Sequence, residues 1–479
     1  MPAPSLHAEP ANPSPSAAGP VVVELDPGTR PEAAFRALAG EPHAVFFDSA
    51  QRHERLGRYS YVAADPFDWF TGSPDEPDVL QQLRQRLGRW IVEPTSGLPP
   101  WQGGAAGLIG YEIGRGLERL PRPRWDEFQT PALAMGLYDT VVAFDHLQQR
   151  AWAVSQGLPA EGDARRRRAE QRVAWLLDRL DGGPSPQGER HAPAPLSQPS
   201  LAPQFATRFD GVLSDFARED YLRAVERVVD HLRAGDAFQV NLSQRLLLED
   251  PGDPVAMYLR LRERNPAPFG GYLDGGDWQV ASASPERFLR LQDGLVETRP
   301  IKGTRPLSGV AEELLASEKD RAENVMIVDL LRNDLSRVCE DDSIDVPELF
   351  AVERYAHVQH LVSAVTGRLR RDRDATDLLA ATLPGGSITG APKVRAQEII
   401  ARLEPTARGA YCGSLAWIGF PDGQGRQAMD SSVLIRTLTR ARGWIQAPVG
   451  SGVVVQSDPE AEYEETWHKA AGLIEPVTP

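Results

Sequence analysis

Cysteine is almost missing: the 479 residues contain two, Cys339 and Cys412. Two thiols cannot build a disulfide framework or a four-thiolate zinc site, and such sparing use suits a reducing cytoplasm. Positive charge is also short, with 52 lysines and arginines against 67 acidic residues and a net charge of −15, so nucleic acid is not the expected partner. No run of about 18 apolar residues occurs, and the opening MPAPSLHAEPANPSPSAAGP has neither a basic start nor an apolar stretch. Neither a membrane helix nor a signal peptide is expected. An acidic protein that handles an anion must assemble a local positive site.

What is present is ordinary for a globular protein, 41% hydrophobic and 25% charged, in a chain long enough for two or three units or one large intertwined one. Residues 1–20 read as a loose tail. Residues 21–180 form a first region with strand-like HAVFFDS and TVVAFDH and a closing helical RRRRAEQRVAWLLDRL, whose Arg165 to Arg168 read as a solvated helix face. Pro, Ser and Gly crowd 181–204, which marks a linker before the region 205–479. There strands and helices mix without strict alternation, which predicts an α+β fold with largely antiparallel sheets.

Several stretches carry polar groups in telling patterns. In AFQVNLSQRLLLE, Gln239, Asn241 and Ser243 alternate with Phe238, Val240 and Leu242, the pattern of a strand that lines a polar cavity or of one half exposed to solvent. WQVASASPERFLRL and LVETRPIKGT flank Asp293-Gly294, a hairpin signal. A two-residue turn sets position 286 opposite 301; a three-residue loop with a bulge sets Glu286 opposite Lys302 on one face. Asp320 and Glu323 share a helix face, as do Glu462, Glu465 and Lys469. One carboxylate from each helix suits magnesium, and a salt-bridged surface would look the same. PGGSITGAPK lacks the Gly-Lys-Ser/Thr of a P-loop, although the helix entry at Pro392, with Ser387 and Thr389 near it, could receive a carboxylate. HVQH, with His357 and His360, is weak as a metal motif, and neither cysteine sits where a nucleophile would.

Taken in order, GDAFQVNLSQR, SASPERF, RPIKGTRPL, KDRAENVMIVDLLRNDL, HVQHLVSAVTG, PGGSITGAPK, GAYCGSLAWI, SSVLIRT and GSGVVVQSDPEAEYEETWHKA resemble the chorismate-utilising enzymes, over roughly 215–475. GRYSYVAADP and GGAAGLIGYEIGR resemble the N-terminal region of the aminating members. The resemblance implies two packed, largely antiparallel sheets surrounded by helices, with chorismate held between them. It implies Mg2+ on Glu323 and Glu465, substrate contacts from Gly303, Thr304, Tyr411, Arg436, Gly450, Ser451, Gly452 and Lys469, and His360 near the reacting ring. In the N-terminal region, Phe46 to Ser49 stand where anthranilate synthases carry a Leu-Leu-Glu-Ser motif. Ser49, Arg58, Tyr59, Ser60, Pro268 and Phe269 are then expected either to line an aromatic amino-acid pocket or to serve packing alone.

Two positions separate the members. Isochorismate and salicylate synthases have a water-activating lysine where this chain has Gln239; anthranilate synthases have alanine at the position of Lys302, where aminodeoxychorismate synthases have lysine. The resemblance therefore implies a Mg2+-dependent aminodeoxychorismate synthase component I, with Lys302 as nucleophile, Glu286 as acid, and ammonia from a separate glutamine amidotransferase subunit. The chain's end at Pro479 leaves no fused lyase expected. An anthranilate synthase bearing a lysine and a non-catalytic scaffold subunit are the alternatives; a scaffold has no need to keep Glu286, Lys302, Glu323, Glu465 and Arg436 together.

Overall fold

The computed structural model describes residues 19–51, 56–183, 194–250, 252–307, 311–354 and 358–477, with the side chains of 199, 304–306, 311–313, 354 and 358 outside that description. His357 lies outside it, as do most of the 1–20 tail and 184–193 of the expected linker. Strand alternation sets up the layers. Val45 points into one buried cluster and its neighbour Phe46 into another; Leu415 and Ala416 divide in the same way. The strands collect into a 13-stranded and a 10-stranded antiparallel sheet, packed face to face through Val45, Tyr61, Trp101, Leu415 and Trp417. Helices such as Arg218–Arg233 and Pro459–Ile474 cover the outer face of the first sheet, and Val79–Leu87 and Ala375–Thr382 that of the second. This is the expected α+β fold.

The two sequence regions on either side of the linker do not form separate sheets. Val45–Asp48 pairs with Gly270–Asp274, and Gly104–Ile109 with Ser414–Gly419, so each sheet draws strands from both regions. Among the described residues, no helix is long and apolar enough to cross a membrane.

The site-bearing strands are β1 (Gln239–Glu249), β2 (Arg287–Gln292), β3 (Leu295–Thr298), β4 (Ile301–Pro306), β5 (Val358–Arg368) and β6 (Trp444–Val453). With them stand the helices α1 (Glu318–Ser336), α2 (Lys393–Leu403) and α3 (Pro459–Ile474). β1 is buried on both faces from Gln239 to Leu248, because β6 and Gly390–Ala391 flank it and helices cover it. That removes the half-exposed alternative for this strand. Asp293 and Gly294 both have positive φ, and β2 and β3 pair as Gln292 with Leu295 and Arg290 with Glu297. The two-residue turn is thus the one formed, and the three-residue loop is not. A bulge does occur, one strand later: β4 and β5 pair Lys302 with Leu361 and then Thr304 with His360, leaving Gly303 as the extra residue. Gly303 has φ +70, which favours glycine, and a Cβ there would lie 3.1 Å from the Asp320 side chain, which would have to shift to admit it.

A buried arginine ties these elements together. Arg408 forms a bidentate pair with Glu404 and donates to the carbonyls of Ile388 (2.9 Å) and Asn241 (2.7 Å), while Glu404 accepts from the Ser243 amide and hydroxyl. Replacing Arg408 by alanine strands the Glu404 carboxylate in the interior. The expected loss is about 3–5 kcal/mol of stability, read from the urea midpoint at constant slope.

Candidate active site

Lys302 is half-buried on β4, and burial pushes its ammonium below the ordinary lysine range against the opposing pull of Glu323 and Glu286. Glu286 is buried immediately before β2. Its carboxyl is pushed up to about 7 by burial, which outweighs a hydrogen bond from Ser387 and the charge of Lys302. The Ser387 hydroxyl donates to Glu286 Oε1 at 2.7 Å, and Lys302 Nζ donates to the Ser387 carbonyl at 3.4 Å. A buried carboxylic acid and a desolvated amine therefore meet at one serine, on a turn between Gly386 and Ile388. A carboxyl raised to about 7 and an ammonium lowered from its usual range are shifted in the directions that general acid and nucleophilic chemistry need.

Carboxylates from α1 and α3 face the same space. Glu323 is raised by burial, with Lys302 and Lys319 pulling it down and Asp320 and Glu462 pushing it up. Burial also works against ionisation of Glu465, but Lys469 at 2.7 Å, with Lys319 and Lys302 behind it, leaves that carboxyl lowered. Its side chain keeps 49% exposure, so solvent screens part of the pull. Lys469 also donates to the Gly450 carbonyl at 2.8 Å, fixing α3 to β6. Among the described residues no three His, Cys, Asp or Glu side chains come close enough to enclose an ion. Buried Glu462 Oε2 lacks a hydrogen-bond partner, while Oε1 accepts from Ser457. Carboxylates on two helices fit a hard divalent cation whose remaining ligands are substrate oxygens and water.

The other expected residues distribute around this centre. His360 is buried and lowered to about 4 by burial and by Arg436, against a hydrogen bond with the Gly303 backbone; at neutral pH it is an uncharged ring. Arg436 sits at positive φ where the chain passes from one sheet to the other, lowered by burial and with no ion pair to a described residue. A buried guanidinium without such an ion pair has the chemistry to receive an anion. Gly450 and Gly452 pair with Ser243 and Asn241 of β1, and a Cβ at 452 would lie 2.4 Å from Gln239 Nε2. The Gln239 side chain is fully buried with neither polar atom of its amide hydrogen bonded. Ser451 is buried on the same strand. Tyr411 is buried beside Arg408, next to Cys412, which feels the Glu286 charge. The Thr304 side chain lies outside the described residues; its backbone pairs with His360. Burial pushes the Cys339 and Cys412 thiols up to about 11 and about 12, with Glu340 only a minor cause at Cys339, so neither is a nucleophile at neutral pH.

A separate cavity of about 550 Å3 opens between the sheets, lined by Ser49, Arg58, Tyr59, Pro268 and Phe269 among others. Ser60 stands behind the wall, its hydroxyl accepting from the Ser49 amide. Arg58 is committed to Asp145 and Ser49 to the carbonyls of Tyr59 and Pro268, so these two build the wall.

The sequence reading missed Ser387 as the link between acid and amine. PGGSITGAPK marked it as a polar loop, but nothing local tells that it faces a residue 101 positions earlier. Lys393, which the missing P-loop left without a role, donates to Asp334 on α1 (2.6 Å) and to the Thr382 carbonyl (2.7 Å), and so anchors that loop.

The model of the chorismate binding enzymes matches residues 41–475. The chain belongs to this family. Anthranilate synthase component 1 of Thermus thermophilus is 43% identical over 93% of this chain and 95% of its own. Aminodeoxychorismate synthase component 1 of Escherichia coli is 38% identical over 92% and 94%. The crystal structure of anthranilate synthase component I from Streptococcus pneumoniae superposes with a TM-score of 0.72 at 31% identity, covering 88% of this chain and 93% of that one. The Escherichia coli isochorismate synthase, at 19% identity and TM-score 0.69, shares the fold. This member of the family is a chorismate-utilising enzyme whose relatives carry two different aminating names.

Proposed function

We propose that the protein is the chorismate-aminating component of an aminodeoxychorismate synthase, forming 4-amino-4-deoxychorismate from chorismate and ammonia. The observation that carries this reading is Lys302, desolvated and joined through Ser387 to Glu286, whose carboxyl is raised to about 7. Neutral Lys302 attacks ring carbon 2, the bond from carbon 4 to its hydroxyl breaks, and Glu286 gives its proton to that oxygen, which leaves as water. Ammonia then attacks carbon 4, the bond between carbon 2 and Nζ breaks, and the new ammonium returns a proton to Glu286. The covalent step thus directs the nitrogen of ammonia to carbon 4 instead of carbon 2. Arg436 holds a substrate carboxylate, and the buried Gln239, in place of a lysine, leaves water unactivated. Glu323 and Glu465 would hold Mg2+, which when bound neutralises a substrate carboxylate and adds positive charge beside Lys302. Ammonia comes from a glutamine amidotransferase subunit; the cavity at Ser49 and Phe269 is the place for an aromatic amino acid, to be tested by calorimetric titration with tryptophan.

The second reading is anthranilate synthase, favoured by the 43% identity to the Thermus thermophilus protein. Incubation with chorismate, MgCl2 and ammonium chloride, with products identified by mass spectrometry, decides between them. The expected product is 4-amino-4-deoxychorismate; anthranilate with pyruvate would overturn the proposal. Chelation by EDTA should remove activity and added Mg2+ restore it. Glu323→Gln should raise the Mg2+ concentration for half-maximal rate by about tenfold or more, since one of two protein ligands is lost.

A further inference from the structure

Several side-chain contacts converge on the Gly386–Ile388 turn. Asn241 Nδ2 and Arg408 both donate to the Ile388 carbonyl, at 3.0 and 2.9 Å, and the buried Thr389 hydroxyl donates to the Gly385 carbonyl at 2.9 Å. On its far side Lys393 is locked to Asp334 and Thr382. Such a turn has little freedom to follow its neighbours. Ser387 stands at its centre and uses two different groups on two different partners, hydroxyl to Glu286 and carbonyl to Lys302.

This division has a chemical consequence. A buried carboxyl and a buried amine left to themselves collapse onto one another, because attraction between opposite charges grows as the dielectric falls. The collapsed pair is useless for covalent catalysis: the amine is an ammonium without a lone pair, and the acid has already lost its proton. An interposed serine satisfies each group with a neutral partner. Glu286 Oε1 accepts from the Ser387 hydroxyl, and the Ile301 backbone also hydrogen bonds to the carboxyl, so its partners there are neutral groups.

We propose that Ser387 is a positioning residue that holds Glu286 and Lys302 apart, each in the form its step requires. The proposal rests on the nucleophilic reading of Lys302 above. The charged and titratable groups facing the pair are Glu323 of α1, Glu465 and Lys469 of α3, and Cys412 beyond Glu286.

The test compares Ser387→Ala, which deletes the hydroxyl, with Ser387→Thr, which keeps it. Steady-state rates with chorismate, MgCl2 and ammonium chloride are measured alongside labelling of Lys302 by acetic anhydride at one neutral pH, followed by peptide mass spectrometry. In the alanine variant kcat should fall about 100-fold with KM for chorismate little changed, as expected when reacting groups are misplaced. Lys302 labelling should slow by about tenfold as the amine becomes an ammonium. Threonine should restore both. An alanine variant equal to the parent in rate and labelling overturns the proposal, as does equal loss in both variants with a lowered melting temperature, which makes the turn merely structural. Labelling needs no turnover, so it reads the position of Lys302 even if the product proves to be anthranilate.

Discussion

Lys302→Ala should lose 4-amino-4-deoxychorismate formation by at least about 10³-fold, because the proposed route to carbon 4 runs through a bond from Lys302 to carbon 2. The proposed attack is favoured by burial, which holds Lys302 below the usual lysine range, with Glu323 and Glu286 opposing that shift and Lys469 adding to it. In the alanine variant, ammonia meets carbon 2 directly, so the residual product should be nitrogen at carbon 2, seen as anthranilate with pyruvate. Product mass spectrometry of the variant checks both the size of the loss and the change in product. Full activity at carbon 4 would make a covalent role for Lys302 untenable. Lys302→Arg should fail as well, since a guanidinium stays protonated throughout the working range.

Glu286→Gln should lower kcat by about 10²–10⁴-fold, the usual contribution of a positioned acid. The glutamine keeps the size of the side chain and its acceptor oxygen for Ser387, so loss of the proton is the main change. The pH profile gives a further check, with its sign fixed by the direction of each shift. Glu286, raised to about 7, is protonated and competent below that pH, and activity falls as pH rises through it. Lys302 is competent only when neutral, so its limb rises with pH from the opposite side. A bell results, and Glu286→Gln should erase its alkaline limb while keeping the acid limb. Rates must be compared at constant free ammonia, since ammonia itself is mostly protonated near neutrality. An alkaline limb that survives in the glutamine variant would remove Glu286 from the acid role.

The chemistry was legible in short stretches because each signal was local. PIKGT placed a lysine beside a glycine, and the spacing of Glu462, Glu465 and Lys469 put three charges on one helix face. The hairpin at Asp293-Gly294 was equally local, since two residues of positive φ select a two-residue turn. The site's assembly was not local. The bulge thought to bring Glu286 and Lys302 to one face lies at Gly303 instead, where helix α1 crowds the strand through Asp320. Similarly, Pro/Ser/Gly composition marked a linker, but strands on either side of it share both sheets, because a strand seeks any partner edge that buries its face.

The sequence by itself determined the inventory: which side chains can be acid, amine, cation and metal ligand, and the helix and strand periods that present them. Tertiary structure alone decided their protonation and their pairing. Burial between two sheets and two helices is what lowers the Lys302 ammonium from its ordinary range and raises the Glu286 carboxyl to about 7. A serine from a third element must also stand between them, and no window of sequence contains that desolvation or that contact.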